Sequence, residues 1–213
     1  MRILIIISIC ISTFIFANTQ TFLKINDEGV FPTKWESKTK NDTIYIKGED
    51  KEGFTEIETS TLYTLKKIKF NSKITTDEYV LCRDNNLLIA AGNINNKVIY
   101  KEYNIGNTAW FQEFYFDFKP FISSSEMTKK FYVINPKDFS LNTLIAKKEA
   151  QETITIKNNK YSAIKVMITL PGIKGMFWKG YIWFDNESCE FLKLRLNEGP
   201  KTPYTTIIID PKD

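Results

Sequence analysis

Histidine is absent from all 213 residues, which removes the commonest general base and the usual catalytic zinc ligand. No Gly-x-Ser-x-Gly elbow, Walker loop or Cys-x-x-Cys pair occurs. Two Ser-x-x-Lys matches, Ser37 with Lys40 and Ser162 with Lys165, would need a helix to bring nucleophile and base onto one face. Both lie in strand-like sequence, where residues three apart point to opposite sides, so neither reads as a catalytic pair. Carboxylates are plentiful, yet none stands framed in an apolar run that would signal a raised pKa. The expectation is a non-enzyme, with no catalytic residue, cofactor or metal.

The remaining reactive side chains depend on where the chain resides. MRILIIISICISTFIFANTQ carries one early charge, Arg2, then an apolar run from Ile3 to Phe16 closed by Ala17. That order predicts a secretory signal peptide over residues 1–17, with an exported domain over 18–213 beginning at Asn18. The run is shorter than the ~20 residues of a membrane-spanning helix. Ile9, ahead of Cys10, occupies a place where a lipoprotein anchor needs a small residue. No other long apolar run follows, so no transmembrane segment is expected after cleavage, and the periplasm is the expected compartment. Cys82 and Cys189 then remain. Alternation puts Leu192, Leu194 and Leu196 on an inner face and Cys189 on the outer one, which argues against a disulfide between them.

The exported part has 28 basic and 25 acidic residues, too balanced and dispersed for nucleic acid. Its longest basic cluster, LKKIKF, alternates Lys66, Lys67 and Lys69 with apolar residues and reads as a solvated strand face. Of the two arginines left, Arg195 alternates with lysines on an outward face.

Strands divided by Asn-rich turns dominate the chain. Turns are expected at Lys40-Asn41-Asp42, Asp84-Asn85-Asn86, Asn95-Asn96, Asn158-Asn159 and Asp185 to Ser188, because Asn and Asp tolerate the left-handed backbone of tight hairpins. Two-residue alternation flanks them, as in Ile164, Val166 and Ile168. The expectation is mainly antiparallel β, roughly nine to eleven strands in one domain.

Two segments break the pattern. WFQEFYFDFKPF, residues 110–121, holds seven aromatic rings in twelve positions. Their spacing fits a short helix ended by Pro120, although Phe114, Phe116 and Phe118 also alternate as a strand would. PGIKGMFWKG sets Met176-Phe177-Trp178 in a glycine-framed apolar loop.

The succession TKWES, IYIKGED, FTEIETS, WFQEFYFDFKPFI and FYVINP, then FWKGYIWF, a turn, a Leu-alternating strand and the Gly199–Pro203 loop, resembles a known group. It is similar, from about Trp35 to Pro203, to uncharacterised exported bacterial domains grouped near the lipoprotein-carrier (LolA/LolB-like) fold. The resemblance implies a single curved sheet or open half-barrel around one or two short plug helices. It also implies an apolar interior, which in the carriers receives acyl chains. No carrier ligand residue matches this chain position by position.

Within that fold the rings serve as core or as the lining of a cavity. Trp110, Phe114, Phe118 and Phe121, with Phe177 and Trp178, are the candidate ligand-binding residues. The leading functional expectation is non-catalytic binding of a lipid or other apolar ligand inside the half-barrel. The alternative is a cell-envelope structural or adaptor domain with a packed core that binds another protein.

Overall fold

Asparagine in a left-handed conformation marks the hairpins. Asn41, Asn85, Asn95 and Asn96 have φ between 52° and 60°, and Asn95-Asn96 is a two-residue turn closed by the Ile94–Lys97 pair. The computed structural model describes residues 17–197 and 202–211. Residues 1–16 of the expected signal peptide and residues 199–201 of the Gly199–Pro203 loop lie outside the described residues.

An antiparallel meander runs through β1 (Ala17–Asn26), β2 (Gly29–Lys40), β3 (Thr43–Glu49), β4 (Gly53–Ser60), β5 (Leu65–Ser72), β6 (Glu78–Asp84), β7 (Leu87–Ile94) and β8 (Lys97–Asn104). The two-residue β9 (Ala109–Trp110) and the short helices α1 (Phe114–Asp117) and α2 (Lys119–Ser123) follow. A second antiparallel run comprises β10 (Thr128–Ile134), β11 (Leu141–Ile156), β12 (Asn159–Thr169), β13 (Lys179–Asp185), β14 (Phe191–Leu196) and β15 (Thr205–Ile209). A single 3-10 turn, Gly172–Met176, joins β12 to β13. β15 pairs with β1, which fuses the two runs into one sheet with β8 and β9 as its edges. The sheet forms the expected open half-barrel around a helical plug.

The core lies between the sheet and the plug. Phe22, Trp35, Ile46, Ile57, Ile68, Leu81 and Leu88, one from each of β1 to β7, are buried in one cluster with Phe111, Phe118 and Phe121. Large rings are accommodated where the facing strand has no side chain. A Cβ on Gly48 would overlap the Trp35 ring, and one on Gly92 would strike Tyr79.

Several expectations are corrected. Among the described residues fifteen strands are present rather than nine to eleven. The excess includes strands with weak apolar alternation, such as β4 (GFTEIETS). The 110–121 segment is not one helix, because Trp110 belongs to β9. Pro120 stands in the first turn of α2 and helps to start it, since a first-turn position needs no N–H donor. A β-bulge between Trp183 and Phe184 breaks the alternation of β14: Phe191 and Leu194 join the main core while Leu192 packs against Trp183 in a second, smaller cluster. Both cysteines are free thiols, as expected, but Cys189 lies in the turn after β13 and packs against the main core instead of standing on an outer strand face.

The β11–β12 hairpin closes at Ile156–Asn159, so its turn is Lys157-Asn158, and the left-handed residue is Lys157. Asn95→Val should therefore cost about 1–2 kcal/mol, because a β-branched side chain resists positive φ. Asn158→Val should cost under ~0.5 kcal/mol. Urea midpoints of the two variants check this, and the reverse order would contradict the turn geometry.

Candidate functional site

The plug, residues 110–123, is tied down by side chains from within and from the sheet. Gln112 works as a substitute peptide: its amide nitrogen donates to the Ile134 carbonyl at 2.9 Å, and its amide oxygen accepts the Ile134 N–H at 2.9 Å. This extends the short pairing of β9 along β10. The indole N–H of Trp110 reaches the same amide oxygen at 3.3 Å. The Asp117 carboxylate accepts the backbone N–H groups of Gln112 and Glu113 at 2.7 and 2.8 Å, which folds the chain into α1.

At the far end, Lys148 of β11 is buried and its ammonium donates to the carbonyls of Ile122 and Ser124 at 3.0 and 2.6 Å. It caps the C-terminal carbonyls of α2, where a cation is favoured. The Phe121 ring lies 4.9 Å away. Burial holds the Lys148 ammonium below its ordinary pKa. Lys119, at the start of α2, forms an ion pair with Glu190 and reaches the Tyr63 hydroxyl at 3.5 Å. The plug thereby bridges the β4–β5 and β13–β14 turns.

Two carboxyls inside the fold have raised pKa values. Burial lifts Asp117 from 3.8 to about 7, against the opposing pull of its two N–H donors. Loss of solvent lifts Glu113 from 4.5 to about 8, with Asp117 and Asp50 adding repulsion. The absence of any apolar-framed carboxylate was therefore a misreading. Asp117 sits between Phe116 and Phe118, and packing turns that aromatic frame inward. Both N–H groups meet a single oxygen, Oδ2, and that oxygen shapes the plug.

A cavity of about 290 Å³ opens beside the plug, walled by Trp110, Phe111, Phe121, Leu65 and Tyr63. Arg83 reaches it from β6, but its guanidinium is engaged by three carbonyls, those of Asn85, Gly106 and Thr108, at 2.9 to 3.1 Å. Those contacts secure the loop between the two edge strands. Lys129 at the rim is paired with Glu126. A second, more open hollow of about 580 Å³ shares Tyr63, Thr64 and Pro120 with the first and continues past Lys119 to Cys189. Together they form a groove across α2, aromatic at one end and polar at the other.

Trp110 and Phe121 line this groove. Phe118 lies deeper, fully buried among five other rings. Phe114 is half-buried against Phe118 and Phe131. Phe177 faces solvent, and Trp178 is half-buried with its indole N–H on the Asn197 carbonyl at 2.8 Å. Neither lines the groove. Sequence reasoning passed over Tyr63, Phe111 and Lys119; only Phe111 carried a signal, as the neighbour of Trp110.

With this geometry in view, comparison with solved structures locates the fold. A β-barrel-like protein of a domain of unknown function from Brucella abortus superposes with a TM-score of 0.50 over 92% of this chain and 98% of that one, at 6% identity. The chain shares that fold. The Brucella protein is itself functionally uncharacterised, so the likeness is one of architecture. A putative outer membrane lipoprotein-sorting protein domain from Vibrio parahaemolyticus aligns over 92% of this chain and 83% of that one at 8% identity. Its TM-score of 0.29 is too loose to define a fold. No family model matches the sequence, and no curated protein matches it either. Among the described residues no helix is long and apolar enough to cross a membrane.

Proposed function

We propose that this protein is an exported, non-catalytic half-barrel that binds an apolar ligand in the groove over α2. One observation carries the reading: a cavity of about 290 Å³ walled by Trp110, Phe111, Phe121 and Leu65, just under the roughly 300 Å³ at which small-molecule pockets usually begin and continuous with the hollow beyond Pro120. The cations at its edges support an apolar occupant, because Arg83, Lys119 and Lys129 already have partners. An apolar chain displaces water there without breaking an ion pair. In this reading, residues 1–17 are removed on export. β1 begins at Ala17, so cleavage after it leaves the pairing from Asn18 onward intact.

The test is a titration of delipidated exported protein, its N-terminus first read by sequencing and expected at Asn18, with a fluorescent long-chain fatty acid. Saturable binding with a shift in Trp110 emission is the expected result. Ala109→Phe places a ring in the cavity wall and should weaken binding by about tenfold or more at an unchanged melting midpoint. Absence of saturable binding by the wild type would remove the ligand reading and leave the adaptor alternative.

A further inference from the structure

The connection between β12 and β13 concentrates exposed apolar side chains that elsewhere, as at Leu62, Ile74 and Val98, stand farther apart along the chain. Ile173, Met176 and Phe177 expose 77%, 73% and 68% of their surfaces within five residues. The backbone beneath them is fastened. The Thr169 hydroxyl reaches the carbonyls of Gly175 and Trp178, each at 3.0 Å, and the Phe177 N–H bonds the Lys174 carbonyl at 3.1 Å. Gly175 packs so closely on the Leu170 carbonyl that any side chain there would collide with it. The apolar tip is therefore presented by a held backbone.

The tip's charge is one-sided. From Leu170 to Gly180 there are two lysines, Lys174 and Lys179, both exposed, and no carboxylate. At the base, the Trp178 indole is half-buried with its N–H satisfied. Three exposed side chains are a small patch beside the roughly 800 Å² that one partner contributes to a stable protein–protein interface. A small convex apolar tip flanked by lysines over a tryptophan suits the boundary layer of a bilayer instead. Apolar groups enter the acyl margin, the indole sits at headgroup level, and lysines meet anionic headgroups. We infer that the 170–180 loop docks this protein on an anionic lipid bilayer surface. The surface is distinct from the groove and stands whether or not the groove holds a ligand.

The experiment sediments the full chain with vesicles of mixed phosphatidylethanolamine and phosphatidylglycerol. The wild type is compared with the triple variant I173S/M176S/F177S and the double variant K174E/K179E. All three proteins carry the same N-terminal segment, so any difference between them reads the loop. The substituted side chains are exposed, and thermal melts confirm that the variants remain folded. The triple variant should partition at least about tenfold less than the wild type, and the double variant at least about fivefold less. Wild-type binding to pure phosphatidylcholine vesicles should be weaker by a similar factor. Equal partitioning of wild type and triple variant overturns the inference, as does equal binding to both lipid compositions. A wild-type dimer that the triple variant converts to monomer, with no vesicle binding by either, would also overturn it and assign the tip to a second copy of the chain.

Discussion

Phe118→Ala is expected to cost about 4 kcal/mol of folding stability, and Phe114→Ala about half of that. Phe118 is fully buried, with ring centroids of Phe111, Phe114, Phe121, Phe131 and Phe184 between 4.8 and 6.3 Å away. Those rings come from the plug, β10 and β13, so removing the central one leaves a cavity that no single neighbour can fill by a rotamer change. Phe114 touches Phe118 and Phe131 but keeps part of its surface outside the core, so truncation there forfeits fewer contacts. Urea unfolding of both variants is the measurement. Equal and small losses would mean that the plug is not cemented by this cluster. The same pair separates core from lining, since neither ring borders the groove and neither substitution should alter fatty-acid affinity in the folded protein.

The second large effect is on pH. In the unfolded chain Asp117 titrates near 3.8, and in the folded protein near 7. Between those values the folded state holds a proton that the unfolded state has released. Stability from this group is therefore complete at low pH and declines as pH rises through about 7. Glu113, lifted to about 8, acts in the same direction and extends the decline. At about 1.4 kcal/mol per pKa unit, the Asp117 shift corresponds to a loss on the order of 4 kcal/mol by pH 9. Asp117→Asn keeps an oxygen for the N–H groups of Gln112 and Glu113 while removing the charge. Urea midpoints from pH 4 to 9 should fall in the wild type and fall less in the variant, which keeps the decline due to Glu113. Parallel profiles would show that Asp117 does not set the dependence.

The curved antiparallel sheet was legible because its hairpins are chemically marked. Asn41, Asn85, Asn95 and Asn96 hold positive φ, and only a few residue types tolerate that conformation. The plug was half legible. Its ring density announced a buried segment, but the spacing of rings could not show that Gln112 would pair with β10 or that Pro120 would start a helix. Lys148 was invisible in KKEAQ, which reads as a solvated charge run. It turns inward next to the bulge between Lys148 and Gln151 and finds the end of α2, a partner set by tertiary packing alone. The polar side of the groove was hidden for the same reason, since Tyr63, Lys119 and Glu190 meet only after three distant segments have folded.

The pairing of β1 with β15 has a consequence for synthesis. Every other antiparallel ladder joins consecutive strands, so β1 to β8 form from local contacts while the rest of the chain is still being made. The middle of the finished sheet is then closed last, when residues 205–209 arrive beside a strand made almost two hundred residues earlier. Until that moment the free edge of β1 (FLKI, residues 22–25, where β15 pairs) is an open template for any other extended chain, including a neighbour at the same stage. A cell making this protein has its greatest need of a chaperone during that interval, and slowing the final stretch of synthesis would lengthen the exposure.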